Sequence, residues 1–170
     1  VLLAWLFLVL GCAALAEPVT LLEGVLTLEL PPSFRRLDQA AIEKMFAGSG
    51  SVPGVVLVTA DSASRLSITH TQSRLAPEEL ESTKSELKAQ LGGAMRWIKD
   101  EVVTLNGVPW FRLDFEPDGG PSREIIMGTS ARNRLLFLVV STSTDELDLV
   151  EQELEAMIAS LQIQEGAARD

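Results

Sequence analysis

Cysteine is nearly absent from this 170-residue chain: the single one, Cys12, lies in the apolar opening stretch VLLAWLFLVLGCAALA. Beyond that stretch neither a disulfide nor thiol chemistry is open to the chain, so stability must come from core packing. Histidine is equally scarce. With His70 alone, a zinc site of three or four ligands has too little to build on. A Ser-His-Asp hydrolase would have to use His70 as its base, yet no G-x-S-x-G elbow accompanies it and no particular serine presents itself as nucleophile. Basic residues are outnumbered 14 to 24, for a formal net charge of −10. That excludes the basic footprint by which a domain binds nucleic acid or anionic lipid. The charges are dispersed rather than gathered into a tail, a pattern that serves solubility. Internal repeats, low-complexity runs and long Pro/Gly/Ser linkers are also missing, which points to one domain rather than several.

What is present begins with an export signal. Residues 1–16 carry no charge, and Leu2 to Leu10 form an apolar core of signal-peptide length, short of the roughly 20 residues that span a bilayer. Ala14-Leu15-Ala16 supplies the small-x-small pattern of a cleavage site, and Glu17-Pro18 starts a polar mature end. We therefore expect a signal peptide over 1–16, cut after Ala16, and a periplasmic or secreted domain over 17–170 with a short polar C-terminal tail. Val9-Leu10-Gly11-Cys12 offers an alternative, a loose lipobox in which a lipidated Cys12 would anchor the protein to the membrane. Leu10 before Gly11 and the apolar AALA after Cys12 depart from that pattern. Membrane attachment is thus expected only through a lipidated Cys12 or an uncleaved signal.

Along the mature chain, strand and helix signals alternate. Val25 to Leu30 reads as a strand stopped by Pro31-Pro32. A short helix over Asp38–Phe46 turns Ala41, Ile42, Met45 and Phe46 inward, and strands follow over Val55–Thr59 and Arg65–Thr71. Pro77 opens a second helix whose Leu80, Leu87, Leu91 and Met95 share a side, with Glu78, Glu79 and Glu81 suiting its N-terminus. Strands over Trp97–Leu105 and Val108–Glu116 flank Asn106-Gly107, the strongest two-residue hairpin signal. Phe111, Leu113 and Phe115 alternate with Trp110, Arg112, Asp114 and Glu116, so we expect one buried face there and a solvent face bearing the polar residues. After a strand over Arg123–Thr129, the six apolar residues Leu135 to Val140 predict a strand covered on both faces. Ser143 and Glu146 form a capping box for a helix bearing Leu147, Val150, Leu154, Met157, Ile158 and Leu161. A short strand over 161–163 ends the pattern. Tight turns between neighbouring strands require antiparallel pairing. The expected fold is therefore α/β of the α+β kind: a mainly antiparallel β-meander sheet with helices packed on its faces, in a single sandwich domain.

The stretches VLTLELPPSF, LNGVPWFRLDF, REIIMGTS, RLLFLVVST and EAMIASLQI, in that order over about residues 19–164, resemble the PsbP/Mog1/DcrB-like α/β/α domains. That group includes periplasmic lipoproteins, extrinsic photosystem subunits and binding partners or chaperones of other proteins. The resemblance implies a non-catalytic accessory role and carries over no functional residues.

Candidates for chemistry are few. Asp114-x-Glu116-x-Asp118-Gly119 alternates carboxylates as a calcium loop does, but Pro117 interrupts it and Ile125 stands where the bidentate Glu belongs. Gly48-x-Gly50 opens like a dinucleotide loop, yet Pro53 replaces the third glycine and a helix, not a strand, precedes it. Glu78-Glu79 and Asp145-Glu146 are explained by first helical turns. No metal or other cofactor is expected. Trp97 and Trp110 stand out instead, Trp110 leaving the hairpin opposite Phe111, either as core or as a contact for a protein. The expected function is a non-enzymatic cell-envelope or secreted accessory protein that binds another protein. Its rivals are a carrier of a small apolar ligand and a hydrolase using His70.

Overall fold

The computed structural model describes residues 16–93 and 95–164, without the side chains of Glu146 and Leu149. The expected signal segment up to Leu15, including Cys12, lies outside the described residues.

The strands are β1 (Glu17–Leu21), β2 (Leu26–Leu30), β3 (Phe34–Arg36), β4 (Val55–Thr59), β5 (Ser64–Arg74), β6 (Met95–Leu105), β7 (Val108–Pro117), β8 (Ser122–Ala131), β9 (Arg134–Ser143) and β10 (Gln162–Ile163). The helices are α1 (Gln39–Met45), α2 (Leu80–Leu91) and α3 (Thr144–Ala159). Seven strands form the central sheet in the order β3-β4-β5-β9-β8-β7-β6, every neighbour antiparallel. It is two meanders, β3 to β5 and β6 to β9, sewn together by β5 and β9. Helix α2 carries the chain from one meander to the outer edge of the other. A separate three-stranded sheet, β1-β2-β10, joins the beginning of the domain to its end.

The inner face of the central sheet meets α3 and the small sheet. Leu57, Leu66, Ile68, Trp110, Ile125, Met127, Leu136, Leu138 and Val140 pack there against Leu26, Leu28, Leu154, Met157, Ile158 and Leu161. Each such side chain contributes about 1.5–3 kcal/mol through burial. On the outer face, α2 covers β7 and β8 through Leu80, Leu87 and Leu91 over Phe111, Leu113, Phe115 and Ile126. Short α1 covers β4, with Ile42 on Val56 and Val58; Asp38 caps it by accepting the N–H of Ala41 at 2.8 Å. Between these two helices the outer face is only partly covered. In β9, Leu136, Leu138 and Val140 are buried, whereas Leu135, Phe137 and Val139 are half-buried.

Helix α2 ends at Leu91, and Gly92 and Gly93 after it both adopt positive φ (50° and 74°). Three local expectations are revised. Met95 opens β6, although it still packs in the α2 cluster. Ser143 makes no capping hydrogen bond to α3, and the side chain of Glu146 lies outside the described residues. The β7 face bearing Trp110, Arg112 and Asp114 is core rather than solvent, since α3 lies over it. The Asn106-Gly107 turn forms as expected, with φ of 48° and 82°. Asn106 adds a role not anticipated: its Nδ2 donates to the carbonyls of Ala159 (3.0 Å) and Leu161 (2.9 Å), closing the C-terminal end of α3.

Candidate functional site

The densest chemistry lies beneath α3. Asp114 is fully buried, and both of its oxygens accept from Arg123, Nε on Oδ1 and Nη2 on Oδ2, each at 2.8 Å. Arg112 Nη2 reaches Oδ2 at 3.1 Å. Glu151 and Glu155, one turn apart on α3, complete the cluster. Arg123 Nη1 donates to Glu151 at 2.7 Å, and Arg112 forks onto Glu155 at 2.9 and 2.6 Å. The hydrogen bond to Asp114 holds Arg123 above its ordinary range. Burial alone would lower Arg112, but Glu155 and Asp114 outweigh it and raise it. The hydrogen bond from Arg112 holds Glu155 below the usual carboxylate range. Two guanidiniums on three carboxylates make a clamp that fastens α3 to the sheet, with the interior charges paired and hydrogen-bonded as burial demands.

This clamp corrects the placement of Asp114 on a solvent face and separates the residues of the acidic turn. Glu116 is held by Arg96 at 3.0 Å, and Asp118 stands exposed in the β7–β8 turn. Among the described residues, no group of three His, Cys, Asp or Glu side chains could hold a metal ion. Trp110 has no exposed surface, so of its two expected placements it takes the core and not the protein contact. Its Nε1, like Arg112 Nε, has no hydrogen-bond partner among the described residues. Trp97 is the more accessible of the pair, half-buried, tilted against Phe115 at 5.1 Å with Lys88 Nζ 4.8 Å above it. His70 sits near the end of β5, where its Nε2–H donates to the carbonyl of Ala131 at 3.0 Å. Its ring nitrogens make no hydrogen bond to a serine among the described residues. Glu79 turns back onto the N–H of Ala76, a capping role.

A different feature marks the end of the molecule around His70. Beyond a bulge after His70, β5 meets β9 with Arg74 directly opposite Arg134, two like charges in cross-strand register. Such a pair is destabilising when nothing neutralises it. Arg132 stands in the adjoining β8–β9 turn, and its Nη2 donates to the carbonyl of Gly24 at 3.2 Å. None of the three arginines has a carboxylate within ion-pair distance among the described residues. Arg132 and Arg134 form the ridge between two recesses. One, of about 650 Å³, reaches Gln72, Arg74, Ala76 and Glu79; the other, of about 350 Å³, reaches Leu22, Glu23, Val25 and His70. Arg74 lies far from Arg132 and Arg134 in the sequence, so this cluster escapes a reading of local patterns. On the outer face, a shallow apolar recess of about 240 Å³ lies between α2 and the sheet, bounded by Leu87, Phe111, Leu135 and Phe137.

No protein-family model matches the sequence, and no curated protein matches it. Solved structures do match in three dimensions. The solution structure of cyanobacterial PsbP (CyanoP) from Synechocystis sp. PCC 6803 superposes with a TM-score of 0.60 at 15% identity, over 89% of this chain and 94% of that one. The chain has the PsbP-like fold. A crystal structure from Bacteroides thetaiotaomicron VPI-5482 matches with a TM-score of 0.53 at 11% identity, over 89% of this chain and 49% of that chain, so this PsbP-like domain spans about half of it. The expected antiparallel α/β sandwich is thus the observed one, enlarged by the small β1-β2-β10 sheet. Among the described residues, no helix is long and apolar enough to cross a membrane.

Proposed function

We propose that this protein is a non-enzymatic accessory protein of the cell envelope, exported to the periplasm or secreted after cleavage near Ala16, and that it binds another protein. The contact surface is the arginine end. One observation carries this reading: in a chain of net charge −10, Arg74 and Arg134 face one another across two strands, with Arg132 beside them, and no carboxylate among the described residues stands within ion-pair distance of them. An acidic surface on a partner would neutralise the cluster, and charge complementarity of this sort sets specificity and association rate. The PsbP-like fold supports an accessory role by analogy of architecture alone.

The test is affinity capture from envelope extract with the wild type and with an Arg74→Glu/Arg132→Glu/Arg134→Glu variant. The reading expects a partner that is retained by the wild type, released by raised salt, and lost by the folded variant. Equal retention by both proteins would contradict it. The shallow recess by Leu87, Phe111, Leu135 and Phe137 favours a second reading, a carrier of a small apolar ligand. Leu87→Arg would then abolish binding of an apolar fluorophore while leaving partner capture unchanged.

A further inference from the structure

The smaller recess at the arginine end has walls of two kinds. Arg132 and Arg134 line one side, and their planar forks match a carboxylate in charge and geometry. Leu22 and Val25 line another side with aliphatic surface, Val25 buried and Leu22 half-buried. Glu23 is exposed, so its single charge leaves the two arginines in excess. The backbone here is strained. Leu22, Glu23 and Gly24 take φ of 51°, 54° and 82° in succession, a left-handed conformation that is unfavourable for each residue bearing a side chain. Neighbouring groups hold it in place. Leu22 presses on Gly54, where any Cβ would lie 2.8 Å from Leu22 Cδ2, and Arg132 is bonded to the carbonyl of Gly24. The His70 ring is fixed by Ala131. Strain of this kind gathers at ligand clamps, and here it shapes a cationic and aliphatic hollow before anything binds.

We propose that this recess is a subsite for a carboxylate joined to an aliphatic side chain, presented either by the C-terminal residue of a protein chain or by a free branched-chain acid. The proposal rests on the reading of the arginine end as a contact surface, and its test keeps the two apart. The probes are an acetylated pentapeptide ending in leucine with a free carboxylate, the same peptide amidated, and N-acetyl-leucine, titrated into ¹⁵N-labelled protein. The free acids are expected to shift the amides of residues 22–25 and 132–134, the amidated peptide to bind at least about tenfold more weakly, the loss of one charge-assisted contact, and Arg132→Gln/Arg134→Gln to abolish the shifts. Tighter binding of the free-acid peptide than of N-acetyl-leucine assigns the subsite to a chain end, and equal binding assigns it to a free acid. Equal binding of the amidated peptide, or no shift in these segments at millimolar probe, overturns the proposal. Arg96→Gln, on the edge strand β6 and outside the recess, should leave the N-acetyl-leucine titration unchanged. If capture of a partner fails while N-acetyl-leucine still shifts the recess, the contact-surface reading falls and the subsite stands.

Discussion

Replacing Asp114 by Ala is the sharpest probe of the core. The carboxylate has no exposed surface and accepts three hydrogen bonds, two from Arg123 and one from Arg112, whose side chains are themselves only 8% and 5% exposed. Removing it strands two guanidiniums in the interior, with Glu151 and Glu155 touching them only from the rim. Breaking a buried pair in this way costs about 3–5 kcal/mol, a large part of the roughly 5–15 kcal/mol that stabilises a domain. For a domain of this size the melting temperature should fall by about 10 °C. Thermal and urea unfolding of the wild type, Asp114→Ala, Arg123→Met and the double variant would measure it. The double variant should be more stable than the sum of the single losses predicts, because both a stranded cation and its lost partner disappear together. An Asp114→Ala protein within about 0.5 kcal/mol of the wild type, or strict additivity, would refute the idea of a closed ionic clamp.

Other expectations follow from the same packing. Trp110→Ala should cost about 3–5 kcal/mol by leaving a cavity in the inner core, while partner capture by whatever folded fraction remains is unchanged, as urea melts and capture assays would show. Gly128→Ala should destabilise by about 1–3 kcal/mol through overpacking, since its Cβ would overlap the Phe111 ring; differential scanning calorimetry would register it. Glu155, held low by Arg112, contributes stability that is present above the ordinary carboxylate range and lost as pH falls through its folded value. Glu155→Gln should therefore flatten the acid limb of a stability-against-pH curve. Glu124 is pushed up by burial, against the hydrogen bond it accepts from Ser141. Its sign is opposite, and Glu124→Gln should stabilise the protein at neutral pH, with the difference closing in acid.

Much of the architecture is legible in the sequence because it is locally encoded. Asn106-Gly107 announces its hairpin, Pro77 its helix, and the apolar spacing through Leu154 and Leu161 the face that α3 buries. Two strands of the small sheet, β2 and the short β10, are legible, but β1 and the pairing are not: β2 joins residues as distant as Gln162 and Thr27, a contact that no local pattern encodes. Alternation along β7 misleads for a physical reason. Arg112 and Asp114 look like a wet face, but a helix bearing Glu151 and Glu155 at i,i+4 spacing supplies the counter-charges that let that face be buried. The arginine end is hidden likewise, since the register opposing Arg74 to Arg134 depends on a bulge that no local signal marks.

The small sheet also sets an order of events during synthesis. Leu26 and Leu28 emerge among the first residues of the domain, yet α3 and β10, which cover them, are the last to be made. Until then the growing chain carries a bare apolar hairpin, the kind of surface that associates with other chains. A polypeptide released before Thr144 could not complete its inner layer, so ribosomes that stall late on the message would yield sticky, protease-sensitive fragments rather than a smaller working domain.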